Sequence, residues 1–230
     1  MTQDQDPPVL LVHGFASSAE HNWRLPGWLD LLADCGRETI AVDLPGHGTA
    51  PKPADPAGYQ GVEAYVATAV QGREPLDAIG FSAGAHVLLR LAADQPGTFR
   101  HLALLGIGRG VLEPADPEPI VAALTSEPDP ENVSGMVFRR LADGLGNDRD
   151  ALVAFLRRPQ RPLTETDLAR ITIQVLVVLG DKDPAGTLTP GDGLVAALPD
   201  ARLVMLRGVD HFGTPGDVRC MQAVLGFLGC

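Results

Sequence analysis

Ser82 is the residue whose surroundings suggest chemistry first. It lies in Gly80-Phe81-Ser82-Ala83-Gly84, where an apolar run from Leu76 to Phe81 gives way to a helical pattern that opens at Ala83. A serine raised on a tight strand-to-helix turn draws strand and helix together, and the flanking glycines supply the space this requires. Such a turn lifts the hydroxyl out of the sheet edge. Taken alone, the pattern also suits an ordinary helix N-cap. A hydroxyl is a weak nucleophile without a base, so the question becomes which of six histidines can reach it. His211, in Gly208-Val209-Asp210-His211-Phe212, follows the last apolar run and falls at the same sheet edge as Ser82. His13 and His47 also follow strands, but in glycine-flanked turns. His86 is one helical turn beyond Ser82, His101 opens a strand and His21 lies in a polar loop.

A histidine base needs an acid to fix its tautomer and stabilise the imidazolium. Gly180-Asp181-Lys182-Asp183 follows the apolar run Ile173 to Leu179 and offers two carboxylates, either of which also suits a solvated turn. The chain order Ser, Asp, His, each just beyond a different strand, is that of one hydrolase architecture. Stabilising a developing oxyanion takes backbone donors. Val12-His13-Gly14-Phe15 ends the first apolar run in a glycine turn, and Ala83 opens a helix whose dipole favours negative charge, so the amides of Phe15 and Ala83 are the candidate donors.

These residues need elements to hold them. Short apolar runs at 9–12, 39–42, 76–81, 101–105, 173–179 and 201–206 have the continuous hydrophobicity of strands covered on both faces. Helical spacing falls between them at 23–35, 62–70, 83–94, 194–198 and 217–228. Strands alternating with helices require crossover connections, which predicts an α/β, doubly wound, mostly parallel sheet of about six strands with helices on both faces. Residues 106–170 break the alternation. They carry helical patches at 120–124, 133–141, 151–157 and 164–169 but no convincing strand, and are too long for an ordinary connection. This reads as a small helical lid inserted into a core formed by residues 1–105 and 171–230, over the strand ends where open α/β sheets bind ligands.

His13-Gly14-Phe15, the segment Asp43 to Gly48, Gly80 to Gly84, Gly180 to Asp183 and Asp210-His211-Phe212 together resemble the α/β-hydrolase superfamily over nearly the whole chain except the lid. The resemblance implies Ser82 as nucleophile, Asp183 as acid with Asp181 as the alternative, and His211 as base. It also implies an acyl-enzyme cycle with no metal or organic cofactor. The expected reaction is carboxylesterase-like hydrolysis of the ester or thioester of a small or medium-sized substrate. A lactonase, a perhydrolase, a carbon–carbon bond hydrolase and a non-catalytic ligand-binding protein on the same scaffold are the alternatives. Two departures stand out: no room for an antiparallel strand pair precedes Val9, and the lid is short and unlike the subfamily patterns. Serine at the turn also argues against the dehalogenase and epoxide-hydrolase branches, which use aspartate there. In the lid, Met136, Phe138 and Phe155 are candidate walls of a modest acyl pocket, although core packing explains them equally well. Arg139, Arg140, Arg157 and Arg158 suit either an anionic substrate or solvated helix faces. The glycines of Gly106-Ile107-Gly108-Arg109-Gly110 have the wrong spacing for a nucleotide fingerprint and read as a loop entering the lid.

Composition narrows the classes further. The chain has 230 residues, 45% of them hydrophobic, enough to bury a core, and a net charge of −11 that repels phosphate backbones and anionic membranes. No nucleic-acid or membrane partner is expected, only a small-molecule substrate, with the protein a monomer or homodimer. Three scattered cysteines, Cys35, Cys220 and Cys230, form neither a disulfide framework nor a metal-ligand pattern. The opening residues are acidic and proline-rich, unlike a secretory leader, and the expectation is a cytoplasmic protein.

Overall fold

The computed structural model describes residues 6–113, 116–184 and 191–230; the first five residues of the acidic opening segment lie outside these. Six strands, β1 (Val9–Val12), β2 (Thr39–Val42), β3 (Leu76–Phe81), β4 (Phe99–Leu105), β5 (Gln174–Gly180) and β6 (Ala201–Leu206), form one sheet in the order β2-β1-β3-β4-β5-β6. Every pairing is parallel. β1 pairs with both β2 and β3, so the winding direction reverses there, and the register sets Val12 beside Gly80. The carboxyl ends of β1 and β3 therefore form the switch point of the sheet, where the glycine turn after Val12 and the Ser82 turn emerge side by side.

Alternation along each strand feeds two cores. Leu10, Val12, Leu76, Ala78, Leu102, Leu104, Val175 and Val177 point to one face, which helices α2 (Val62–Ala69) and α3 (Ala83–Asp94) cover. Val9, Leu11, Ile79, Ala103, Leu105, Leu176 and Val178 point to the other, beneath α1 (Trp28–Asp34) and the last helix, Val218–Leu228. The central strands β1, β3, β4 and β5 are buried on both faces along most of their length, which explains their apolar runs, whereas the edge strands β2 and β6 are only partly covered.

The helix expected over 23–35 is interrupted. Glu20–Arg24 forms a single π-helical turn, and α1 starts only at Trp28, because Pro26 cannot continue a helix and Gly27 takes a left-handed φ of 94°. Both tryptophans still reach the same core, with ring centroids 5.8 Å apart at 82°. Between β4 and β5 come a short 3-10 turn, Arg109–Leu112, and helices α4 (Glu118–Thr125), α5 (Val133–Gly144), α6 (Arg149–Leu156) and α7 (Glu165–Ala169). α7 returns to the sheet face: Thr164 and Asp167 close a capping box, and the Arg90 Nη2 of α3 donates to Asp167 Oδ2 at 3.1 Å. Helices α8 (Gly191–Ala197) and α9 (Val218–Leu228) complete the alternation.

At the opposite end of the sheet from the switch point, Asp77 of β3 is fully buried and receives hydrogen bonds from Arg37, Arg100 and His101. Burial works against its carboxylate, but the Arg100 and Arg37 guanidinium groups outweigh it and hold its pKa below the ordinary value. Arg37, itself buried, also donates to the carbonyls of Pro7 and Leu228, tying both ends of the described chain to this cluster.

Asp77→Ala leaves the buried Arg37 charge without a carboxylate, and urea unfolding at neutral pH should show a loss of about 3–5 kcal/mol; a loss below about 1 kcal/mol contradicts this reading. A carboxyl with a depressed folded pKa stabilises above its unfolded value of about 3.9 and loses that contribution as pH falls through the folded one. Asp77→Asn should therefore narrow its stability deficit relative to wild type as pH drops below about 4.

Candidate active site

The backbone of Ser82 stands at φ 50° and ψ −113°, one of two non-glycine residues with positive φ among those described. Its neighbours are glycine for lack of space. A Cβ on Gly80 would lie 2.7 Å from Ala85 Cα, and one on Gly84 would lie 2.2 Å from the Val12 carbonyl oxygen. Ser82 N–H donates to the Leu105 carbonyl at 2.9 Å, tying the turn to β4, and α3 starts at the next residue.

His211 comes to this hydroxyl on the loop after β6. Its Nε2 lies 3.0 Å from Ser82 Oγ, and its Nδ1 lies 2.8 Å from Asp183 Oδ2. The ionised carboxylate accepts only, so Nδ1 carries the proton and Nε2 is left to accept the serine hydroxyl. Asp183 is 1% exposed, whereas Asp181 faces outward and accepts from Gly208 N–H at 2.7 Å. The geometry thus joins His211 to Asp183 and leaves Asp181 to hold the loop. Gly180 permits that loop to close, since a Cβ there would sit 2.0 Å from the Val209 carbonyl oxygen.

The glycine turn after β1 packs directly on the serine. A Cβ on Gly14 would fall 2.7 Å from Phe81 Cδ1 and 3.4 Å from Ser82 Cβ. No described protein group accepts from the amide of Phe15 or of Ala83, the latter being the first residue of a 12-residue helix. An imidazole able to take a proton from a hydroxyl, with two amides beside it, can support addition of the serine oxygen to a carbonyl.

The other histidines have different work. His13 is fully buried; its Nδ1–H donates to the Gly14 carbonyl at 2.7 Å and its Nε2 accepts Leu44 N–H at 2.9 Å. Burial lowers its pKa to about 4, so it stays neutral and pins the loop after β2 to the glycine turn. His47 is likewise buried, with a pKa lowered to about 3 chiefly by burial, and its ring meets Phe155 edge-on at 4.9 Å.

Ser82 and His211 open into a cavity of about 230 Å³. One wall is apolar: Phe138, Leu141 and Leu145 of the 106–170 segment, with Phe15, Phe81 and Phe212. The other carries Ser17, His21 and Asn22. Of the three pocket residues read from the sequence, only Phe138 lines this space. Phe155 is 1% exposed and sits behind Phe15, stacked on it at 6.0 Å, and Met136 is half-buried off the cavity wall. A larger groove of about 790 Å³ runs past His86 on the far side of Phe155, where Arg157 pairs with Glu118 and Arg161 with Asp94. Arg139 donates to the Ala123 and Ser126 carbonyls and Arg158 lies 3.8 Å over the Phe155 ring, so these arginines brace the 106–170 segment itself. Among the described residues no cluster of three or more His, Cys, Asp or Glu is arranged to hold a metal ion.

Two contributors were not singled out by their sequence context. Gly106, just after β4 with φ 69°, gives Phe81 and His211 room: a Cβ there would lie 2.8 Å from Phe81 Cε2, 3.1 Å from the imidazole Cε1 and 3.2 Å from Nδ1. Asn22 accepts Gly14 N–H at 2.9 Å through Oδ1. A glycine directly after a strand was the available signal for the first; nothing local marks the second.

The chain belongs to the alpha/beta hydrolase family, whose model matches residues 9–218. It is 34% identical over 157 residues to the pimeloyl-[acyl-carrier protein] methyl ester esterase of Methylococcus capsulatus, covering 67% of this chain and 54% of that protein. It is 30% identical over 199 residues to the enzyme of the same name from Neisseria meningitidis serogroup A, covering 74% and 61%. The chain thus spans little more than half the length of these curated relatives. Among solved structures, the 2-hydroxy-6-oxo-6-phenylhexa-2,4-dienoate hydrolase from Rhodococcus sp. strain RHA1 shares the fold, with a TM-score of 0.73 at 24% identity over 98% of this chain and 91% of that one. No described helix is long and apolar enough to cross a membrane.

Gly106→Ala should press on the Phe81 and His211 rings. A crystal structure of the variant is expected to show both rings shifted and the Nε2 to Oγ contact changed from its 3.0 Å; rings and separation both unchanged contradict the role given to Gly106.

Proposed function

We propose that this chain is a serine hydrolase that cleaves the carboxylic ester or thioester of a small or medium-sized substrate through an acyl-enzyme. The observation that carries the proposal is the pair of hydrogen bonds running from Ser82 Oγ through His211 to Asp183 beside two amides with no described acceptor. Ser82 Oγ attacks the carbonyl carbon while its proton passes to His211 Nε2. The carbonyl oxygen becomes an oxyanion and takes the Phe15 and Ala83 N–H groups. Collapse expels the alcohol or thiol, which leaves with the proton from His211. Water then gives a proton to the same Nε2 as it attacks the acyl carbon, and collapse breaks the acyl–Oγ bond while His211 returns that proton to Ser82 Oγ, releasing the acid. Asp183 remains a carboxylate throughout and stabilises the imidazolium. None of these steps requires a metal or an organic cofactor.

The substrate reading rests on size and polarity. A cavity of about 230 Å³ is below the usual range of about 300–1,000 Å³ for ligand pockets, and among the described residues that line it the ionisable side chains are His211 and His21. An uncharged ester with a short acyl chain fits it. Residues 106–170 are read as a lid, since Phe138, Leu141 and Leu145 form the apolar wall over Ser82. The esterase names of the two curated relatives support ester hydrolysis as the activity, and the partner is then a small molecule.

Ser82→Ala should lower kcat/KM for p-nitrophenyl acetate at least about a thousandfold while circular dichroism stays unchanged. Across p-nitrophenyl esters of increasing chain length, the wild type should favour the shortest. Turnover by Ser82→Ala equal to wild type contradicts the mechanism, and a preference for long acyl chains contradicts the substrate reading.

A further inference from the structure

We infer that Asn22 is a positioning residue that locks the turn carrying the Phe15 amide, an inference that rests on the esterase reading above. The Phe15 N–H belongs to the Gly14–Phe15 peptide, which is planar and trans, so it points opposite to the Gly14 carbonyl. That carbonyl is held by His13 Nδ1–H at 2.7 Å and by Ser17 N–H at 3.3 Å. One fixed plane does not fix the turn. Residue 14 has to be glycine because a Cβ would lie 2.7 Å from Phe81 Cδ1, and glycine is the residue with the most backbone freedom. The space that lets the turn approach Ser82 therefore removes the steric restraint that would keep it there.

Asn22 supplies the missing restraint. Its side chain holds Gly14 N–H at 2.9 Å and so fixes the preceding peptide. With His13 on one plane and Asn22 on the other, both peptides that meet at the Gly14 Cα are held. A backbone N–H needs an acceptor, which sets the carboxamide with Oδ1 toward Gly14. Asn22 is itself rigidly mounted. It sits in the π-helical turn Glu20–Arg24, its own N–H bonds the Ser18 carbonyl at 3.0 Å, and its neighbour Trp23 is fully buried against Trp28. Asn22 acts through Gly14 on the oxyanion donor, so its loss should weaken the transition state more than the ground state, even though its side chain also lines the cavity.

The test compares Asn22→Ala and Asn22→Leu, the second keeping the volume without an acceptor, with wild type and Ser82→Ala. Competent enzyme is counted by end-point labelling of Ser82 with a fluorophosphonate, which removes any misfolded fraction from the comparison. Per labelled site, kcat for p-nitrophenyl acetate should fall about ten- to a hundredfold in both variants, a larger change than any in KM, which reads the contact of residue 22 with the cavity. Affinity for a trifluoromethyl ketone, which forms an oxyanion on addition of the serine, should fall by the same factor as kcat/KM. A kcat per labelled site within about twofold of wild type, or a loss carried by KM alone, overturns the inference. Turnover retained by Ser82→Ala would instead overturn the esterase reading beneath it.

Discussion

The structure depends on one backbone constraint: Ser82 is held at positive φ between a strand and a helix that touch. A non-glycine residue in such a conformation costs on the order of 1–3 kcal/mol and persists only where its surroundings impose it. Here they do. The Leu105 carbonyl holds the serine amide, Gly80 admits the helix backbone, and Gly84 lets the first turn of α3 rest on the end of β1. The same contact that strains the turn sets the Ala83 amide beside the glycine turn carrying Phe15, so the Ser82 hydroxyl and both candidate donors are placed by one packing decision at the switch point of the sheet.

Burial separates histidines that are equal in sequence. His13 and His47 follow strands and lie beside glycine, but both are enclosed, and burial lowers their pKa values to about 4 and about 3. A neutral His13 can donate from one nitrogen and accept at the other, which suits a fixed structural clamp. His211 instead lies at the cavity with a carboxylate on one nitrogen and a hydroxyl at the other. Its position can therefore support proton transfer, while theirs supports geometry.

What was legible in the sequence follows from how local each signal is. Parallel strands covered on both faces are mostly apolar, and even the partly covered edge strands β2 and β6 keep enough apolar residues to be legible, so β1, β2, β3 and β6 match their expected limits, and β4 differs only by starting at Phe99. Helix α3 runs over the expected 83–94 because nothing interrupts its apolar spacing before Pro96. The helix expected over 23–35 fails at Pro26-Gly27, where local backbone preference defeats the apolar period. Phe155 and Met136 show the limit from the other side: a hydrophobic residue on a helix of the 106–170 segment has no local mark that distinguishes the cavity wall from the packing behind it. Gly106 and Asn22 matter through approaches between distant parts of the chain, and composition along the chain does not encode those approaches locally.

The central claim, that Ser82 carries the acyl group, is tested most directly by acid-quenching the wild-type protein during turnover of p-nitrophenyl acetate and mapping its peptides by mass spectrometry. The account predicts an acetyl group on the peptide containing Ser82, formed in step with a burst of p-nitrophenol. Product release with Ser82 unmodified at every quench time, and with another side chain acylated in its place, would contradict it.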